Sequence, residues 1–324
     1  VLSTLVSTHP EYSITVLLRN IPPDFTTTYP NVKILEGEYD SREIITAAAS
    51  EANIVIHNGN SDHEPSINAL IAGLLLQSSP TFLLHLGGTG IVADWKSDTH
   101  RGELNPKIWS DIDDIDAIWN LPDDALHRNV DKIIQAAAEK HGDKLHTAII
   151  CPPDIYGQGF GLARNQSVYF PTLYAESSKL GRTFYASSGT NTRSWVHISD
   201  LMTVYTRLVE AAANGGANAD WGLKGYYFCG SQEANQYDLA VAAGKVLKKL
   251  GVVEEEEPKN CSLEVVGGML GQYGRDGIAL YMYAANSRTR ADRAGRVLGY
   301  KPVGPSIWEC VEGDLVACQR EKQR

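Results

Sequence analysis

With 324 residues, 43% of them hydrophobic and no long unbroken apolar span, the chain reads as a soluble globular protein of one large or two modest domains, with no membrane segment. A net charge of -10 argues against a nucleic-acid surface, whose usual footprint is a basic stripe. The five cysteines (Cys151, Cys229, Cys261, Cys310 and Cys318) are scattered, odd in number and never in a CxxC spacing, which indicates neither a disulfide framework nor a metal site and points to a reducing cytosol.

In chain order, Val1 to Thr8 has a helical apolar period but no cap residue before it, so it reads as the tail of a helix. Ile14 to Leu18 is a first strand, closed by Arg19-Asn20. Val32 to Leu35 is a second, leading through Gly37-Glu38 to Asp40, which with Glu43 forms a capping-box pattern for the next helix. Asn53 to Ile56 is a third strand, ending in His57-Asn58-Gly59-Asn60. Ser61 and Glu64 form another capping box, and Ile67, Leu70, Ile71, Leu74 and Leu75 mark one helix face. Thr81 to Leu86 is the fourth strand, breaking at Gly87-Gly88-Thr89-Gly90. The polar, acidic stretch Trp95 to Asn120 reads as an elaborated loop. A helix is expected from Pro122 to Lys140, with Leu126, Val130, Ile133, Ile134 and Ala137 inward.

Leu145 to Gly161 is the pivot. Its apolar run, including Ala148, Ile149 and Ile150, has the character of a parallel strand buried on both faces, and Pro152-Pro153 stops the ladder at the carboxyl edge, where open α/β sheets place ligands. Strands alternating with helices up to this point imply an α/β fold with a doubly wound parallel sheet. Beyond Gly161 the elements are less regular. Helices are expected at Ser167 to Leu180, Asp200 to Ala213, Gln236 to Leu250, Arg288 to Leu298 and Ile307 to Gln319, and short strands at Trp195 to Ile198 and Tyr226 to Cys229. The division is residues 1–160 as a nucleotide-binding domain and 161–324 as mainly a smaller substrate domain, with some segments returning to the sheet.

Four segments in order carry a family resemblance: Gly37-Glu38; His57-Asn58-Gly59; Cys151-Pro152 with Tyr156-Gly157; and Arg193-Ser194-Trp195-Val196-His197-Ile198-Ser199-Asp200. Together they resemble the extended short-chain dehydrogenase/reductase superfamily, in its NAD-dependent epimerase/dehydratase-like branch, over nearly the whole chain. The resemblance implies a Rossmann-type sheet. It places Gly37 and Glu38 beside the cofactor's adenine, makes His57, Asn58 and Gly59 a cofactor-facing turn, and puts Cys151 and Pro152 at the cofactor and Tyr156 and Arg193 at the substrate. Arg193 would then face a substrate phosphate; the alternative is a structural ion pair with an acid such as Asp200. Arg19 stands where NAD-preferring relatives carry an acid, and an arginine suits a 2′-phosphate, so NADP is favoured over NAD; the alternative is a surface arginine.

Two departures follow from the same resemblance. The family's first strand and glycine-rich loop would lie upstream of Val1, so that Ile14–Leu18 and Asn53–Ile56 are expected to face one another with unpaired edges, leaving this stretch unstable and a poor dinucleotide binder. The family's Tyr-x-x-x-Lys pair corresponds to His127 and Asp131, and its Ser/Thr to Thr89. A carboxylate four residues along a helix can orient an imidazole and raise its pKa, which would make His127 a general acid with Asp131 behind it; the alternative is a weak surface pair. His63-Glu64 lacks the second histidine of a metalloprotease helix, and Gly87–Gly90 lacks the lysine of a P-loop. Two functions remain open: an atypical NAD(P)-dependent oxidoreductase or epimerase-like enzyme acting on a small carbonyl/alcohol or nucleotide sugar, or a catalytically degenerate dinucleotide-binding regulator or scaffold. The helices Ser66–Leu76 and Asp123–Ala138 are where extended relatives pair, so a homodimer is expected.

Overall fold

A computed structural model describes residues 1–274 and 277–322. The chain opens with α1 (Leu2–Thr8), β1 (Thr15–Leu18), α2 (Phe25–Thr28), β2 (Lys33–Glu36), α3 (Arg42–Ser50), β3 (Ile54–His57), α4 (Glu64–Leu74) and β4 (Thr81–Leu86). It continues with β5 (Trp109–Ser110), α5 (Ile115–Trp119), α6 (Arg128–His141), β6 (Leu145–Cys151) and β7 (Asp154–Tyr156). Then come α7 (Tyr169–Leu180), β8 (Phe184–Ala186), β9 (Thr192–His197), α8 (Ile198–Ala213), β10 (Tyr226–Phe228), β11 (Gln232–Asn235) and α9 (Gln236–Lys249). Last are β12 (Lys259–Cys261), α10 (Leu263–Gly267), α11 (Ile278–Tyr283), β13 (Thr289–Arg290), α12 (Asp292–Val297) and α13 (Ile307–Lys322). Among the described residues no helix is long and apolar enough to cross a membrane.

The centre is a parallel sheet in the order β10-β6-β4-β3. Its middle strands are apolar on both sides because both sides are covered. Leu83 and Ile149 pack with Ile67, Leu74, Val130 and Ile134 of α4 and α6, while Leu84, Ala148 and Ile150 pack with Leu201, Val204, Tyr205 and Leu208 of α8. β1 pairs in parallel with β2 as a separate two-stranded sheet, and among the described residues no strand pairing joins β1 to β3. In the later part, β9 is the middle of a sheet β11-β9-β7, and an aromatic-rich core of Phe170, Phe184, Trp195 and Tyr283 is closed by Ile307, Val311 and Leu315 of α13.

Several local expectations change. The helix expected from Pro122 begins at Arg128, because His127 takes a left-handed backbone (φ 67°) that cannot propagate a helix. Neither capping box forms. Asp40 instead lies 3.4 Å from His63 Nε2, and the Ser41 hydroxyl accepts from the Glu38 amide at 3.0 Å. His63 caps α4 by accepting from the Ser66 amide at 3.2 Å, while Ser61 is drawn to His127. The expected loop Trp95–Asn120 contains β5 and α5. The expected helix Arg288–Leu298 divides into β13, which pairs with β5, and α12.

Candidate active site

The carboxyl ends of β3, β4 and β6 lie side by side, and the turn after β4 is stitched to the end of β6. Gly87 N donates to Ile150 O at 2.8 Å and Thr89 N to Pro152 O at 3.0 Å. The left-handed cap of α6 brings the His127 ring over this turn. A Cβ on Gly88 would stand 3.0 Å from His127 Nε2, so any larger residue there would crowd the ring. On the other side of the ring, Nδ1 lies 2.7 Å from Asp62 Oδ1 and 3.2 Å from Ser61 Oγ. With Nδ1–H donating to the Asp62 carboxylate, the neutral imidazole presents its Nε2 lone pair to the Gly88–Gly90 turn. This is the arrangement of an oriented acid/base.

Asp131 is not the residue that orients it. Alignment of side chains four apart requires both to be helical, and His127 is outside the helix. Asp131 points into the core, where its Oδ2 accepts from Tyr226 Oη at 3.1 Å and its Oδ1 has no hydrogen-bond partner among the described residues. Burial pushes its carboxyl up to about 6, against the opposing pull of His127. Thr89 is also buried. Its amide is bound to Pro152, and its carbonyl accepts from Ser287 Oγ at 2.7 Å.

The residues assigned to the cofactor divide into two groups. Arg19 and Glu38 are exposed at the ends of β1 and β2, and Gly37 N donates to Leu18 O at 3.1 Å, holding the two ends together. His57, by contrast, is buried in a pair with His85, Nδ1 to Nδ1 at 2.9 Å, with Ser66 Oγ 3.2 Å from His57 Nε2. One ring must donate and the other accept, so the pair holds a single shared proton. Burial pushes His57 down to about 4 and His85 well below the usual imidazole range. Asn58 Oδ1 accepts from Tyr205 Oη at 2.7 Å, and the Tyr39 ring lies against Gly59. Cys151 is fully buried, with burial pushing its thiol up and Tyr226 Oη 3.4 Å from its sulfur; Pro152 offers its carbonyl to Thr89.

In the later half both assigned substrate residues are tied into the fold. Tyr156 donates to Pro305 O at 2.7 Å and accepts from Gln232 Nε2. Arg193, 3% exposed, pairs with Asp154 (Nε to Oδ2, 2.5 Å) and not with Asp200, which instead accepts from the amides of Val303 and Gly304. Arg193 Nη1 donates to Tyr281 O at 2.8 Å, the guanidinium lies 4.6 Å from the Tyr281 ring centroid, and Nη2 has no partner among the described residues. Sequence reasoning did not single out Asp62, Asp154 or Tyr281 for the site. Asp62 sits in the polar turn Asn60-Ser61-Asp62-His63, a signal for a ligand-side loop. Nothing local marks the other two.

Residues 124–223 match the model of the NAD dependent epimerase/dehydratase family, a span holding His127, Asp131, Pro152, Tyr156 and Arg193. The chain is similar to Oxidase ucsJ from Acremonium sp, 26% identical over 332 residues that cover 99% of this chain and 93% of that protein. Among solved structures it superposes on DesIV, the dTDP-glucose 4,6-dehydratase of Streptomyces venezuelae with NAD bound, at TM-score 0.64 and 14% identity, covering 99% and 92% of the two chains. UDP-glucose 4-epimerase of Thermotoga maritima gives TM-score 0.61 and 13% identity, covering 100% and 95%. The fold is that of the NAD-dependent epimerases and dehydratases.

Proposed function

We propose that the protein is an NAD(P)-dependent oxidoreductase in which His127, held by Asp62, moves the substrate proton. The observation that carries this is the direction of the imidazole: Nδ1 is fixed by a carboxylate at 2.7 Å, and Nε2 faces the turn at the carboxyl end of β4. Carboxyl edges are where open α/β folds bind ligands, and Gly88 leaves the His127 ring room to lie against this one. Arg19 and Glu38 are the exposed groups available to the distal end of a dinucleotide, and Arg19 favours a 2′-phosphate, hence NADP. When bound, the nicotinamide supplies or takes the hydride. In the oxidation direction neutral Nε2 accepts the alcohol proton; in the reduction direction the imidazolium returns it to the carbonyl oxygen, with Asp62 stabilising the charged ring.

The internal ion pair of Arg193 favours a small carbonyl or alcohol over a nucleotide sugar, since the guanidinium is already committed to Asp154. The test is NADPH- and NADH-dependent turnover against aldehydes, quinones and nucleotide sugars, with His127→Ala losing about a hundredfold or more while cofactor binding persists. A second reading, a dinucleotide binder without chemistry, is favoured by one observation: Tyr39 and Tyr205 cover Gly59 and Asn58 in the turn after β3. Cofactor binding with no turnover in the whole panel would select it.

A further inference from the structure

His127 is not alone at the β4 turn. Tyr281 lies on α11, far along the chain, and its hydroxyl reaches the same place. A Cβ built on Gly90 would stand 3.0 Å from Tyr281 Oη, 3.2 Å from Leu126 Cδ1 and 3.3 Å from His127 Nε2, so a phenol and an imidazole from different elements come close together at this glycine, where a methyl group would crowd both. The phenol is held at that point from behind. The Arg193 guanidinium stacks 4.6 Å from its ring centroid and donates from Nη1 to its backbone carbonyl, and Arg193 is itself anchored by Asp154.

We propose that Tyr281 is the second group that grips the reacting oxygen, its Oη–H donating to the carbonyl or alcohol oxygen whose proton His127 moves. This rests on the proton role proposed for His127. The site is then assembled from both halves of the chain, with the imidazole from the cap of α6 and the phenol from α11. Burial pushes the Tyr281 hydroxyl up while the Arg193 charge pulls it back, and the balance leaves the phenol protonated at neutral pH, the state a donor needs. A donor fixed where negative charge develops on oxygen stabilises the transition state more than the ground state. The substrate class this selects is an aldehyde, ketone or secondary alcohol whose single reacting oxygen fits between the two groups. It also gives Arg193 a positioning role that does not involve a substrate phosphate.

The experiment compares Tyr281→Phe, Gly90→Ala and His127→Ala in the full chain. With the best carbonyl of the panel, Tyr281→Phe is expected to lower kcat about a hundredfold with cofactor binding unchanged, and Gly90→Ala to do the same by placing a methyl group between the two side chains. Turnover within twofold of the parent for Tyr281→Phe, beside a lost His127→Ala activity, overturns the inference and leaves the His127 role standing. A readout that needs no turnover uses protein carrying isotopically labelled tyrosine, with the Tyr281 ring resonance identified by its loss in Tyr281→Phe. Trifluoroethanol added with oxidised cofactor is expected to move that resonance in the parent and not in Gly90→Ala. An unmoved resonance in the parent overturns the inference whether or not a substrate is found.

Discussion

The two halves of the molecule treat their polar side chains in opposite ways. In the earlier half, His127 and Asp62 sit on turns at the carboxyl edge of the central sheet and Arg19 and Glu38 at the ends of the separate β1–β2 pair, partly or wholly exposed. Around β7 and β9, by contrast, Tyr156 and Arg193 are buried and bonded to Pro305, Gln232, Asp154 and the Tyr281 backbone. The comparison predicts that substitutions at the buried Tyr156 and Arg193 act first on stability and those at the sheet edge first on function.

The largest effect on folding is expected from the buried ion pair. Arg193→Met leaves the Asp154 carboxylate without its partner and should cost about 3–5 kcal/mol, read as a fall in the denaturation midpoint, with the double variant Arg193→Met/Asp154→Leu recovering part of it. An Arg193→Met protein as stable as the parent would place Arg193 with the functional group. His127→Ala, at a partly exposed cap, should change stability far less.

The buried His57–His85 pair gives the next effect, through pH. His57 is lowered to about 4 in the fold against about 6.5 in an unfolded chain, so the stability from keeping it neutral is fully present above the unfolded value and is lost as pH falls through about 4. The acid limb amounts to about 3 kcal/mol for this group. Denaturation curves at neutral and mildly acid pH should show it, and His57→Gln should flatten it. Equal pH slopes in parent and variant would mean the pair titrates in the folded state without cost.

The architecture was legible where burial leaves a mark on composition. Thr81–Leu86 and the run around Ile149 and Ile150 are apolar on both faces because helices cover both, and the Ile67–Leu75 stripe shows which face of α4 turns inward. The site was legible only in part. His127 could be singled out because it corresponds to the tyrosine of the family's Tyr-x-x-x-Lys pair, but its partner could not, since the left-handed backbone at His127 destroys the helical spacing that pointed to Asp131. Asp62 lies 65 residues away, brought in by the sheet and not by any local period. Asp154 reaches Arg193 through the pairing of β7 with β9 and Tyr281 through its carbonyl's bond to Arg193 Nη1, and two-residue strands such as β5 and β13 are too short to show a period at all.

A smaller effect is expected at the distal end of the cofactor. Arg19→Asp should weaken NADPH about tenfold, the loss of one charge-assisted contact, and leave NADH equal or better. Calorimetry with both cofactors decides it, and an unchanged preference returns Arg19 to an ordinary surface residue.

The most direct test of the account is the pH profile of kcat/KM for three single variants, His127→Ala, Asp62→Asn and Asp131→Asn. The account predicts loss of turnover in His127→Ala and, in Asp62→Asn, a reduced rate with a profile that departs from the parent's, because Asp62 and not Asp131 holds Nδ1. Asp131→Asn should keep the parent's profile. Robust turnover by His127→Ala, or a profile that moves with Asp131→Asn and not with Asp62→Asn, would contradict it.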